Sequence, residues 1–140
     1  MIKGINHIAV VVRNLDEALI FYEKLFGLKA AHIETIPEQA VKSALIPFGE
    51  GGTTIELIEP IDSQSGVAKF LEKRGEGVHH ISLEVDDINQ ELRALEAKGV
   101  ELIDKQARRG VAGMIAFLHP KSTRGMLLEL TQRVKKGEVK

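Results

Sequence analysis

Hydrophobic and polar positions along the chain follow two alternating rhythms, a strand-like one and a helical one. From Ile5 to Val12 the residues are mostly apolar and β-branched, which predicts a strand. Arg13-Asn14-Leu15-Asp16 interrupts it, and Asn14 with Glu17 three residues on has the form of a capping box. From Leu15 onward Ala18, Leu19, Phe21, Tyr22, Leu25 and Phe26 recur at helical spacing until Gly27 ends the run. Leu28 to Ile36 reads as a strand, Pro37-Glu38 as a turn and Ala40 to Phe48 as another strand. Gly49-Glu50-Gly51-Gly52 then forms a hairpin-type connection to a strand from Thr53 to Ile58, closed by Pro60. This first half is βαβββ.

Asp62-Ser63-Gln64-Ser65-Gly66 has linker composition, and Val67 to Arg74 reads as a short helix broken by Gly75 and Gly77. A second βαβββ pattern follows: a strand from Val78 to Val85, then a helix from Asp87 to Lys98, capped by Asp86 or Asp87 and stopped at Gly99. Its last three strands are expected near Val100 to Ile103, Gly113 to Leu118 and Met126 to Leu130. One domain over residues 1–132 is expected, with modules at about 4–60 and 77–132 and a connector at 61–76. Residues 133–140 form a charged tail that is expected to fray.

The two halves echo one another in sequence. A shift of 73 positions carries His7 onto His80, Ile8 onto Ile81, Val12 onto Val85 and Leu19 onto Leu92. The same shift carries Pro47 onto Pro120, Gly52 onto Gly125, and Ile55-Glu56-Leu57 onto Leu128-Glu129-Leu130. Each half therefore has a histidine on its first strand and a glutamate on its last, 49 residues apart in both. Internal repetition of this kind marks a duplicated supersecondary unit.

Strand parity says where these side chains point. His7, Ala9 and Val11 share one face of their strand, and Ile8, Val10 and Val12 share the other, more apolar face that should cover the helix. By the same parity His80, Ser82 and Glu84 oppose Ile81, Leu83 and Val85, while Glu56 and Glu129 oppose their apolar neighbours. A carboxylate buried in the middle of such a strand costs several kcal/mol (roughly) unless something compensates it. A divalent cation held by His7, Glu56, His80 and Glu129 does so, with the halves related by a pseudo-twofold. Two imidazoles and two carboxylates suit Zn, Co, Ni, Mn or Fe, and an octahedral ion keeps two positions free for water or substrate, which points to catalysis.

A lone histidine or a lone mid-strand glutamate is usually structural; a histidine and a glutamate repeating at one shared offset are the stronger signal. The other histidines lack it. His79 has the wrong parity, His32 lies on a weakly patterned strand, and His119 begins a loop, where a capping role suits it. Glu84 lies near a strand end and is expected to be solvated.

Composition narrows the chemistry further. The 140-residue chain has 19 Lys and Arg against 20 Asp and Glu, so its net charge of −1 gives no overall field for nucleic acid or membrane. It has no cysteine, which excludes disulfides, thiolate metal sites and cysteine nucleophiles and leaves imidazole and carboxylate as the strong ligands. No apolar run approaches a membrane span, and Met1-Ile2-Lys3-Gly4 does not open a basic-then-apolar leader, so a cytoplasmic protein is expected.

On these residues the chain resembles the vicinal-oxygen-chelate superfamily, in which paired βαβββ modules form an open, curled mixed sheet around a metal cleft, an α+β fold. Within it, Asn6 to Val12, Pro37-Glu38-Gln39-Ala40-Val41, Glu56-Leu57-Ile58-Glu59-Pro60, Val78-His79-His80-Ile81, Phe117 to Ser122 and Leu128-Glu129-Leu130-Thr131-Gln132 resemble the methylmalonyl-CoA epimerase family. The match runs from Ile5 to Gln132. The His/Glu quartet is shared with glyoxalase I; the connector helix and the His119-Pro120-Lys121-Ser122 loop favour the epimerases.

The resemblance implies a metal-dependent isomerase of propionate metabolism that exchanges the 2R and 2S forms of methylmalonyl-CoA through an enolate, with cobalt the favoured ion among Co, Mn, Ni and Zn. Inversion needs a base on one face of the carbon and an acid on the other. The resemblance makes Glu129 a ligand that doubles as one base. Some relatives carry a glutamine at the position of Glu56 and a separate glutamate on the preceding strand, near Ser43, whereas this chain has Glu56 and Ser43. Glu56 is therefore read as the second base, with a water held near Ser43 as the alternative. Lys121, Ser122 and Arg124 are expected to bind the phosphates of CoA. Exposed strand edges favour a homodimer. The competing readings are glyoxalase I, a non-enzymatic small-molecule-binding member, which would lack a complete ligand set, and a ring-cleaving dioxygenase, which would leave one ligand redundant.

Overall fold

The computed structural model describes residues 1–47, 49, 52–111 and 113–133. Phe48 at the end of the expected second strand, Glu50-Gly51 in the expected hairpin connection, and the charged tail from Val134 lie outside the described residues. The chain runs β1 (Ile2–Val11), α1 (Leu15–Phe26), β2 (His32–Ile36), β3 (Val41–Pro47), β4 (Thr54–Pro60) and α2 (Gly66–Arg74). It continues as β5 (Gly77–Val85), α3 (Ile88–Ala97), β6 (Arg108–Arg109), β7 (Gly113–Leu118) and β8 (Leu128–Arg133), with single 3-10 turns at Pro37–Gln39 and Pro120–Ser122. These elements form two compact units, one from His7 to His79 and the other joining Met1–Asn6 to the chain from His80 onward.

In the unit from His7 to His79 the strand order is β2-β3-β4-β1. β1 pairs with β4 in parallel, from His7 opposite Thr54 to Val11 opposite Ile58. β3 is antiparallel to both of its neighbours. Asn14 caps α1 by accepting a hydrogen bond from Glu17 N, and the Glu59 carboxylate of β4 accepts from Leu15 N at 2.6 Å. Gly27 closes the helix with φ 68°, a left-handed conformation that glycine adopts without penalty, and donates to Glu23 O. Beneath α1, Val12, Leu15, Ala44, Ile46 and Leu57 form a buried apolar cluster, joined by Val10, Leu19 and Tyr22. The apolar face of β1 thus covers the helix, as parity requires.

The other unit repeats the plan with strand order β5-β8-β7-β6. β5 and β8 are parallel, from Ile81 opposite Leu128 to Glu84 opposite Thr131. Asp87 caps α3 by accepting from Gln90 N, and the Gln132 side chain of β8 accepts from Ile88 N at 2.9 Å. Every member of this cap (Asp87, Ile88, Gln132) sits 73 positions after its counterpart (Asn14, Leu15, Glu59), so the duplication extends to the hydrogen bonds that start each helix. Val85, Ile88, Leu92, Ala116, Leu118 and Leu130 make the matching core.

Four expectations are corrected. Val100 to Ile103 forms no strand: Leu102 makes one isolated bridge to Leu118, and the strand in that place is the two-residue β6. The reason is local, because Ile103 N and Asp104 N both donate to Phe117 O while the Asp104 carboxylate takes Phe117 N, so a side chain replaces the ladder. Leu28 to Ala31 precedes β2 rather than belonging to it, since Leu28 and Ala30 pack into the core under α1. β8 begins at Leu128 and reaches Arg133, two residues later at its start than the expected Met126.

The fourth correction concerns the repeat itself. β3 and β4 place Leu45 opposite Glu56 and Ser43 opposite Ile58. β7 and β8 place Phe117 opposite Glu129 and Ile115 opposite Thr131. Glu56 and Glu129 are 73 apart but Leu45 and Phe117 are 72 apart, so the second half has slipped by one residue between these strands. Pro47 and Pro120 are therefore not equivalent: Pro47 pairs with Thr54, whereas Pro120 begins the 3-10 turn after β7.

Leu92 is 2% exposed at the centre of the second core. Leu92→Ala is expected to destabilise the protein by about 2–5 kcal/mol, seen as a lower urea midpoint at an unchanged slope.

Candidate metal centre

Each unit brings its histidine and glutamate together on the sheet face opposite its helix. In the first, Ala9 is the residue opposite Glu56, so His7 lies two residues back along β1 and reaches the carboxylate diagonally. His7 Nε2 stands 3.4 Å from Glu56 Oε1, and Ser43 Oγ donates to Glu56 Oε2 at 2.8 Å. In the second, Ser82 is opposite Glu129 and His80 lies two residues back along β5. His80 Nε2 stands 3.8 Å from Glu129 Oε2, and Thr131 Oγ1 donates to Glu129 Oε1 at 3.2 Å. Ser82 Oγ lies 2.5 Å from Thr131 Oγ1 behind it. In both, one carboxylate oxygen is held by a hydroxyl and the other is turned to an imidazole.

All four side chains are buried: His7, Glu56, His80 and Glu129 are 5, 7, 6 and 3% exposed. Removing carboxylates this far from water is costly without compensation. The His–Glu separations exceed the range of an N–H···O hydrogen bond, roughly 2.7–3.2 Å. Two atoms bound to one ion at about 2.1 Å lie roughly 3.0–3.4 Å apart in octahedral or tetrahedral geometry, which the first pair matches and the second slightly exceeds. His7 with Glu56, and His80 with Glu129, are each a buried imidazole–carboxylate pair within its own unit. Imidazole nitrogen and carboxylate oxygen fit a divalent transition metal, so the residues present fit the ion that the sequence predicts.

The remaining candidates divide. Ser43 is buried and donates to Glu56. Lys121 and Arg124 are exposed, with Arg124 at φ 61°, and Ser122 Oγ accepts from Glu101 N, which ties the loop down. His119 is the cap of the Pro120–Ser122 turn, accepting from Lys121 N, as expected. His32 pairs with Glu34 at the surface, and His79 packs edge-on against Phe70. Glu84 differs from expectation: it is half-buried and its carboxylate receives Asn6 Nδ2 at 3.1 Å and Arg133 Nε at 2.6 Å. The sequence reading missed Thr131 and Phe117. Thr131 carried a signal, a polar residue two positions after Glu129 and so on the same face. Phe117, whose ring meets the His80 ring edge-to-face at 5.0 Å, carried none, because its place opposite Glu129 depends on the slipped register.

The family model of the glyoxalase/bleomycin resistance protein/dioxygenase superfamily matches residues 6–117. The chain belongs to this superfamily. The mitochondrial methylmalonyl-CoA epimerase of Dictyostelium discoideum is 37% identical over 134 residues, 94% of this chain and 80% of that one. The crystal structure of methylmalonyl-CoA epimerase from Mycobacterium tuberculosis superposes with a TM-score of 0.92 at 35% identity, covering 96% of this chain and 90% of that chain. A Streptomyces coelicolor methylmalonyl-CoA epimerase variant in complex with 2-nitronate-propionyl-CoA gives 0.92 at 34% identity, covering 96% and 100%. Within the superfamily, the chain is thus a member of the methylmalonyl-CoA epimerase family, with the fold of these enzymes.

Burial raises the Glu84 carboxyl, but the hydrogen bonds from Asn6 and Arg133 and the charges of Arg133 and Lys3 outweigh it and hold the group below its ordinary value of 4.5. A depressed carboxyl contributes stability that is complete above that ordinary value and is lost as pH falls through the folded-state value. Arg133→Gln is therefore expected to lower the urea midpoint at neutral pH and to flatten its fall toward acid, so that variant and wild type converge at low pH. An acid limb identical to that of the wild type would remove this pair from the account.

Proposed function

We propose that the protein is a methylmalonyl-CoA epimerase that interconverts the 2R and 2S thioesters by removing the C2 proton on one face and returning a proton on the other. The observation that carries this reading is the buried pairing of His7 with Glu56 and of His80 with Glu129 in a chain of the epimerase family. His7, Glu56, His80 and Glu129 would hold one divalent ion, cobalt by preference among Co, Mn, Ni and Zn. Bound there, the ion supplies positive charge that stabilises the negative charge developing on the enolate.

The chain's own residues do the rest. Glu129 and Glu56 each have one oxygen turned to a histidine and one held by a hydroxyl. A carboxylate divided in this way can ligate through one oxygen and still exchange a proton through the other. Glu129 serves as one base. Glu56 serves as the opposite one, with Ser43 orienting it; a water held by Ser43 is the alternative carrier of that proton. Lys121 and Arg124 supply the local positive charge, and Ser122 a hydroxyl hydrogen bond, that CoA phosphates require. The same reading makes the protein a homodimer, supported by the exposed apolar residues Ile20, Phe21, Leu25 and Phe26 of α1, and assigns it to propionate metabolism in the cytoplasm.

The reading is tested with one epimer of methylmalonyl-CoA in deuterated water. Metal-dependent entry of deuterium at C2 together with appearance of the other epimer is the expected result. A folded, metal-loaded sample that shows neither, yet converts the glutathione hemithioacetal, would make the protein a glyoxalase I instead.

Glu56→Gln is expected to lower the epimerisation rate by about 10²–10⁴-fold, the usual contribution of a general acid or base. Near-full activity in that variant would transfer the second proton to the water at Ser43.

A further inference from the structure

The two modules hold their carboxylates by the same device built from different strands. Beside Glu56, the cross-strand pair is Ser43 on β3 with Ile58 on β4; beside Glu129, it is Ile115 on β7 with Thr131 on β8. Each pair consists of one hydroxyl residue and one isoleucine, but the hydroxyl has changed strand. The opposite neighbour differs as well, Ala9 facing Glu56 and Ser82 facing Glu129. Ala9 and Ile58 are 0 and 4% exposed, and Ser82 and Thr131 are both 0% exposed. The fold thus accepts apolar residues at both positions in one module, and nothing in the packing demands the hydroxyls in the other.

The hydrogen bonds say what those hydroxyls do. A threonine hydroxyl has one proton, and Thr131 gives it to Glu129 Oε1 at 3.2 Å. The short contact to Ser82 must then be a donation from Ser82 Oγ to Thr131 Oγ1, which leaves Thr131 no other direction in which to point its proton. Oε1 is occupied, and Oε2 is the oxygen that stands 3.8 Å from His80 Nε2. We infer that Ser82 and Thr131 are positioning residues that act in series, orienting Glu129 so that Oε2 alone is offered as its metal-binding oxygen. The inference rests on the reading of Glu129 as a metal ligand. Removing the outer partners of a ligand typically lowers metal affinity about 10–100-fold.

The experiment compares Thr131→Val, Thr131→Ser, Ser82→Ala and the double variant Ser82→Ala/Thr131→Val in the full chain. Cobalt affinity by chelator competition, the visible spectrum of the cobalt-loaded protein, and kcat and KM for C2 deuterium exchange are read for each. The double variant removes the Ser82 and Thr131 hydroxyls together, so no buried hydroxyl is left unpartnered, and circular dichroism checks that every variant is folded before cobalt is added. Thr131→Val and the double variant are expected to bind cobalt about 10–100-fold more weakly with an altered spectrum. Kcat should fall more than KM changes, and Thr131→Ser should restore the wild-type spectrum. Wild-type affinity and spectrum in the double variant would overturn the inference while leaving the metal reading intact. A folded wild-type protein that takes up no cobalt would overturn the metal reading and this inference with it.

Discussion

Two glutamates in the middle of apolar strands set the terms for this structure. Glu56 lies between Ile55 and Leu57, and Glu129 between Leu128 and Leu130, with each carboxylate almost wholly removed from water. Strand geometry sends the flanking side chains to the helix face, where they join the cores beneath α1 and α3, and leaves the carboxylates on the other face. Once there, the charge must be met by polar groups. His7 with Ser43 and His80 with Thr131 are those groups, and each comes from a different position along the chain. The register of β1 on β4 and of β5 on β8 is therefore constrained twice, by apolar burial on one face and by charge compensation on the other. A shift of one residue would exchange the two faces and fail on both counts.

Much of this was legible in sequence because duplication tests itself. One offset linked the histidines, the glutamates, and Leu19 with Leu92, and the structure extends it to the helix starts, where Glu59 and Gln132 accept from the first amides of α1 and α3. Period-two parity then assigned faces correctly for His7, His80, Glu56 and Glu129. The failed equivalence of Pro47 with Pro120 has a simple cause. An offset compares positions along the chain, whereas pairing depends on the length of the connection between strands. The link from Leu45 to Glu56 is one residue shorter than that from Phe117 to Glu129, so Phe117, the neighbour of His80, could not be found by offset. Val100 to Ile103 failed differently: its apolar residues signal burial, and Leu102 does pack into the core, but Asp104 takes the amide that a strand there would have used.

The same comparison separates what the superfamily shares from what a reaction needs. Two histidines and two carboxylates are common to proton transfers beside a carbonyl, in epimerases and glyoxalases alike, so the quartet alone does not choose between substrates. Choice comes from what surrounds it. The turn at Pro120–Ser122, fastened by Ser122 to Glu101 N and by His119 to Lys121 N, displays Lys121 and Arg124 at the surface on a defined backbone.

Duplication begins by giving two identical carboxylates, yet the two halves come to hold theirs unequally. Here the inequality is built into the strands. Glu56 is held through Oε2 by a serine reaching across from β3; Glu129 is held through Oε1 by a threonine of its own strand, itself directed by Ser82. A hydroxyl donor stabilises the charged form of the carboxylate it touches, and it also removes one oxygen from the set free to rotate toward a ligand. Two clamps of the same chemistry therefore reach the two carboxylates from different strands. The exchange of serine and isoleucine for isoleucine and threonine adds one methyl group and keeps the hydrogen bond while changing the direction of approach. Divergence of this kind between duplicated halves alters the site without disturbing either core.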